Sequence, residues 1–304
     1  MTWFYIAIIA PFLYALTNFI DKILLEKYFK KSGVGTIIIF SSLFSVFALP
    51  FTFLMDPSVL AVSYIHIFIL CIVGVLNILL LWFYLQALKE EEASVVIVFY
   101  QLVPVFGYIL GYFILGETLT VMQIIAMAII ILGTTIISLE IDSENKFKLR
   151  KKTILPMLVA CLCWASSSVI FKFAALEENV WRSFFWENVM LVVVGILIFT
   201  FARSYRTNFI DAIKNNPKQM LLLNGANELI FISGNLVISF AYMLAPVALV
   251  LLMNSFQTIF VLVIGIMLTI FLPKIVVEKI EAKHIWQKVL AILITALGTF
   301  LLTR

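Results

Sequence analysis

The chain has 304 residues, of which 63% are hydrophobic and 12% charged, and its mean hydropathy is +1.13. Soluble domains carry about 45–50% apolar and about 25% charged residues, so a water-soluble globular protein is excluded and a polytopic membrane protein is expected. The net charge of +4 is modest and gives no reason to expect a nucleic-acid partner.

A membrane span needs about 20 apolar residues at a rise of about 1.5 Å each. Charged and turn-rich breaks divide the chain into ten such segments, at roughly 2–20, 34–55, 64–88, 93–115, 119–139, 153–175, 183–203, 219–243, 246–272 and 284–303. Residues 1–11 carry neither a basic region nor a small-residue cleavage site, so they read as the start of a first membrane helix rather than a removed signal. The longest hydrophilic stretch, 140–153, joins segments five and six, and no other region has room for a soluble catalytic module. Cys71, Cys161 and Cys163 all fall in apolar segments, so no disulfide framework is expected.

Residues 14–22 (YALTNFIDK) are echoed at 164–172 (WASSSVIFK), an offset of 150 residues. That period is too long for a solenoid and indicates a duplicated unit. The units are 1–140 and 153–304, five segments each. Five is odd, so a second copy following the first must enter the membrane upside down. The expected fold is an all-α integral membrane protein of ten transmembrane helices, arranged as two inverted five-helix repeats around a central cavity.

Lys and Arg in short loops set orientation. All of the 21 except Lys172, Arg182 and Arg304 fall in or beside the connections after odd-numbered segments. Those connections are therefore expected in the cytoplasm, with both termini outside and the chain in the cytoplasmic membrane.

Segments three to five read Tyr84-Leu-Gln-Ala-Leu-Lys89, Ala93-Ser-Val-Val, Pro104-Val-Phe-Gly107 and Leu115-Gly-Glu-Thr-Leu119. This resembles the repeat signature of the EamA-like proteins in the drug/metabolite transporter superfamily, and the Leu-Gly-Glu turn with its upstream Pro is the most specific piece. The resemblance spans both units. It implies a ten-helix basket around a cavity, transport of small metabolites or amphiphiles, and cytoplasmic termini; on the last point the loop charges say the reverse, and we follow the charges. The second unit departs from the pattern, with Phe271-Leu-Pro-Lys274 in place of a second Leu-Gly-Glu and Asn254-Ser-Phe-Gln257 without the Pro.

An ionised side chain near the bilayer centre costs about 2.5–3.5 kcal/mol on insertion scales, so each one needs a reason. Glu228 lies about nine residues into segment eight, or about 13 Å deep. At 100° per residue Asn224, Glu228, Phe231, Asn235 and Tyr242 share one helix face. Either this stripe lines a binding cavity, with Glu228 as a substrate-binding and proton- or ion-coupling group, or it clamps helices together. Lys172 and Glu187 lie toward one face, as a structural ion pair or as separate snorkelling groups. Lys22, the counterpart of Lys172 in the echo, has Asp21 beside it and is expected to be solvated. Gln101 in segment four, with Asn254 and Gln257 in segment nine, should meet near the pseudo-axis as substrate-binding amides or as interhelical bonds. Asn77, Trp82, Asn18 and Trp164 are further cavity candidates. Gly107 and Gly111 form a GxxxG that admits a close helix, and Pro104 can kink its span.

No nucleotide-binding motif, HExxH or GxSxG occurs, and His66 and His284 lack metal-ligand neighbours, so neither an enzyme, a metal site nor a cofactor is expected. A channel needs rings of charge or carbonyls. A secondary transporter fits best, with a passive channel or facilitator as the alternative. Its expected partners are a small-molecule substrate (a metabolite, amino acid or amphiphile), the lipid bilayer and a coupling proton or ion, the chain acting as a monomer or homodimer.

Overall fold

The computed structural model describes residues 2–24, 34–90, 96, 99–138, 151–215, 217–271 and 282–302, and these are helical with no strand among them. The first half contains α1 (Thr2–Ala7), α2 (Ile9–Ile23), α3 (Val34–Phe44), α4 (Ala48–Met55), α5 (Tyr64–Glu90), α6 (Val103–Leu115) and α7 (Val121–Ser138). The second contains α8 (Lys151–Glu178), α9 (Val180–Phe201), α10 (Arg203–Asn215), α11 (Pro217–Tyr242), α12 (Val247–Met253), α13 (Gln257–Phe271) and α14 (Ala282–Leu302).

Among the described residues, seven stretches are long and apolar enough to cross a membrane: Thr2–Asp21, Val34–Met55, Tyr64–Lys89, Thr153–Glu178, Val180–Phe201, Leu221–Tyr242 and Val247–Leu268. Tyr100–Leu115, Val121–Ile136 and Ile292–Leu302 are shorter apolar helices at the positions of segments four, five and ten. The outer surface is apolar, with Phe113, Phe201 and Leu222 more than 75%, or at 75%, exposed. Such a surface is stable only against lipid or another apolar partner. α10 stands apart in composition, carrying Arg203, Arg206 and Lys214, and it packs on α3, where Tyr205 lies against Gly35.

The packing order has a regularity. α5 lies along α8 as α11 lies along α2, and α6 packs on α8 as α13 packs on α2. α7 packs on α14, α12 on α6, and α3 with α4 on α9. Exchanging the first five segments for the last five maps each pairing onto itself or onto another member of this set.

Two spans are interrupted at matching places. A 3-10 turn at Tyr100–Leu102 precedes α6, and another at Asn254–Phe256 separates α12 from α13. Pro104 lies in the first turn of α6, where its missing N–H costs little, so it starts a helix rather than kinking one. The second interruption forms without a proline. Gly107 lets α12 approach: a Cβ there would come within 2.6 Å of Leu251 Cδ1. Gly111 instead makes room for its own chain, since a Cβ would sit 3.1 Å from Glu117 Oε2.

Candidate functional site: an acidic cavity between the halves

α2, α3, α5, α8, α9 and α11 surround an internal cavity of about 150 Å³. The two aromatic heads of the sequence echo meet on its wall, with Tyr14 and Trp164 in edge contact at 6.2 Å between ring centroids. Tyr100 packs edge-on against Trp164 at 5.0 Å, and Phe231 against Tyr14 at 5.6 Å. Tyr14 also donates to Asn235 Oδ1 at 2.5 Å. At two places the halves repeat a contact: Tyr84 donates to Asn18 at 3.3 Å, and Tyr242 donates to Ser168 at 2.9 Å. Asn18 and Ser168 occupy the same position in the two copies of the echo.

Three carboxylates line this cavity, and each is held by a neutral donor. Ser41 Oγ on α3 donates to Glu228 Oε1 on α11. Asn77 Nδ2 on α5 donates to Glu187 Oε1 on α9 at 2.5 Å. Asn227 Nδ2 on α11 donates to Asp21 Oδ1 on α2 at 2.7 Å. Glu187 and Glu228 are 7% and 4% exposed, so water does little to screen them. No Lys, Arg or His is among the described lining residues.

The carboxylates at the connections after even-numbered segments are arranged differently. Gly116 adopts φ +67°, the left-handed region that glycine enters without a Cβ clash, and closes α6 with Glu117 N donating to Gly111 O at 3.1 Å. The turn directs Glu117 back across the helix end. Its Oε1 meets Lys172 Nζ at 2.5 Å, and its Oε2 accepts from Val247 N, the first N–H of α12, at 2.8 Å. Lys172 completes the cluster by donating to Ala245 O at 2.8 Å. In a second cluster Arg182 donates to Ser58 Oγ at 2.8 Å, with Asp56 Oδ2 at 3.5 Å from its Nε and Glu178 Oε2 at 3.4 Å from its Nη1. Glu178 Oε1 also accepts from Ser63 N at 3.1 Å and lies 2.8 Å from His66 Nδ1. Hydrogen bonds from the Ser58 hydroxyl and from Asn179, with the Ser58 N–H and the Arg182 charge, hold the Asp56 carboxyl below the usual carboxylate range.

Of the residues singled out in the sequence, Glu228, Asn235, Asn77 and Gln257 line the cavity, as do Glu187, Asn18 and Trp164. Asn224 is buried outside its lining, and Trp82 packs against the hydrophobic core rather than into the cavity. The Lys172–Glu187 pair does not form: Lys172 binds Glu117 and Glu187 binds Asn77, because Leu-Gly-Glu returns a carboxylate to Lys172 from 55 residues away. Gln101 and Asn254 sit in the two 3-10 turns, which touch, but no hydrogen bond joins these amides. Gln101 Oε1 instead accepts from Thr134 at 2.9 Å, while Gln101 Nε2, both Asn254 side-chain polar atoms and Gln257 Oε1 are buried without a protein partner. Asp21, which the sequence did not single out, is also a cavity residue, and Asn227 is its donor; its place at a span end next to Lys22 concealed it. The side chain of Lys22 and the 272–274 turn lie outside the described residues.

Residues 1–139 match the model of the EamA-like transporter family. This part of the chain is similar to that family. No curated protein sequence matches the chain. Among solved structures it is similar to one crystal structure at a TM-score of 0.60 and 13% identity, over 99% of this chain and 94% of that one. At that identity the likeness is one of fold, and it extends beyond residues 1–139 through the second half. The molecule is an integral, multi-pass membrane protein.

Proposed function

We propose that this protein is a secondary active transporter working by alternating access, with its substrate site in the cavity between two inverted five-helix repeats, 1–140 and 153–304. The single observation that carries this reading is Glu228, buried at the cavity wall on one half and held by Ser41 of the other. An acid buried in a span is costly and needs a reason, and a ligand or a coupling ion at the cavity supplies one. Support for the repeat comes from the packing that survives exchange of the halves and from the matching Tyr84–Asn18 and Tyr242–Ser168 bonds. In such a repeat the pseudo-two-fold axis lies in the membrane plane, and rocking one set of helices on the other exposes the cavity to each side in turn. The substrate is a small metabolite, amino acid or amphiphile, and its movement is driven by a proton or ion gradient or by exchange. Glu228 is the coupling group, with Asn77, Asn235 and Gln257 as neighbouring polar contacts.

From the basic connections we infer an orientation with the odd-numbered loops in the cytoplasm, both termini outside and the chain in the cytoplasmic membrane. A reporter at each terminus tests this, and a cytoplasmic C-terminus overturns it. For function, the chain is reconstituted in proteoliposomes and accumulation is followed under an imposed gradient, with Glu228→Gln as the paired variant. Accumulation above equilibrium that the variant loses, at unchanged expression, is the expected result. Equilibration without accumulation would show the passive facilitator instead, and wild-type accumulation by Glu228→Gln would reject the residue's role.

A further inference from the structure

The residue mix alone suits amino acids, neutral metabolites and cations equally, and the cavity's charge arrangement separates them. Asp21, Glu187 and Glu228 come from three different helices and face one space. Their hydrogen-bond donors are an amide, an amide and a hydroxyl, none of which carries charge to offset them. The molecule has cations available and uses them elsewhere, pairing Glu117 with Lys172 and Asp56 and Glu178 with Arg182. The same wall carries an aromatic group, with Trp164 and Phe231 each in ring contact with Tyr14. Ring faces attract cations and do nothing for anions. A carboxylate-bearing ligand would find no described positive partner here and would face three acidic side chains.

Building on the transport reading above, we propose that the cavity selects an organic cation: a protonated amine on an apolar body, bound between Glu228 and Glu187 and against the Tyr14–Trp164 wall. The amine supplies the counter-charge that both acids lack, and the apolar body replaces water against the rings. An amino-acid zwitterion is a poorer fit, because its carboxylate brings back the charge that the site already has in excess.

Binding to the purified full-length chain by calorimetry tests this with two matched sets: phenethylamine, phenylalanine and 3-phenylpropionate; hexylamine, 2-aminoheptanoate and heptanoate. The amine of at least one set is expected to bind at least tenfold more tightly than its zwitterion, with no binding of either anion. Glu228→Gln and Glu187→Gln should each weaken the amine at least tenfold; they serve as independent variants, with thermal melting to verify that each is folded. Equal binding of amine and zwitterion, binding of an anion, amine affinity unchanged in both variants, or no amine binding at all would overturn the proposal. Transport is scored separately in proteoliposomes. Amine binding without movement rejects the transport reading alone, and Glu228-dependent uptake of an anion rejects the cation class alone.

Discussion

Asp56, Glu117 and Glu178 each touch a cationic side chain, whereas Asp21, Glu187 and Glu228 each touch an amide or a hydroxyl. The first three sit at the connections and hold elements together; the other three face a cavity. The residue type is the same, and what differs is whether the fold supplies the opposite charge. Where it does, the carboxylate belongs to the structure, and removing one partner strands the other. Where it does not, the acid is a cost to folding that a ligand or a proton must offset.

The sharpest way to break this comparison is Glu228→Gln. A hydrogen bond to a charged group contributes about 1.5–3 kcal/mol, so substrate affinity should fall about 10- to 150-fold. Its melting temperature should not fall, because an amide fits beside Ser41 without burying a charge. Lys172→Ala should behave in the opposite way. Breaking a largely buried pair from one side costs about 3–5 kcal/mol, seen as early melting, and Lys172→Met with Glu117→Leu should recover most of it. If Glu228→Gln melts early and Lys172→Ala does not, the division into structural and functional acids is wrong. Gly116→Ala forces an L side chain into φ +67° and should cost about 1–2 kcal/mol, leaving the cavity's ligand affinity unchanged.

The smallest effect concerns Asp56. Its carboxyl is held below the ordinary range, so its contribution to stability is present above the unfolded value of about 4 and is lost as the pH falls through the lower folded value. The melting temperature of the wild type should therefore drop more than that of Asp56→Asn between about pH 4 and pH 3. Parallel curves for the two would show that the cluster around Arg182 contributes nothing measurable.

The all-helical membrane fold was legible because lipid imposes length and apolarity on every span, and Glu228 was legible because an acid deep in such a span is unusual. Asp21 was not, since a charge at the end of a span next to a lysine reads as a loop residue. Nor was the partner of Lys172. Helical periodicity relates residues a few positions apart, while Glu117 arrives through a left-handed glycine and a separate helix. The amides of Gln101 and Asn254 were placed in touching turns, but whether two side chains bond is decided by rotamers that spacing does not encode. Asn227 was overlooked because it falls just off the stripe drawn through Glu228.

The Glu117–Lys172 bond has one more consequence if the halves are inverted copies. Swapping them sends Lys172 to Lys22 and Glu117 to the stretch ending in Lys274, where the second unit has Leu-Pro-Lys in place of Leu-Gly-Glu. Two lysines cannot reproduce an ion pair. On the proposed alternating-access reading, the conformer in which the other rim is drawn together would lack an equivalent of this bond, and the resting population would tilt toward the arrangement described here. Lys172→Ala would level that tilt, which labelling of cysteines introduced at the two rims would register as a change in the ratio of their rates. On that reading, a single ion pair without a counterpart would set which side of the membrane the empty protein waits on.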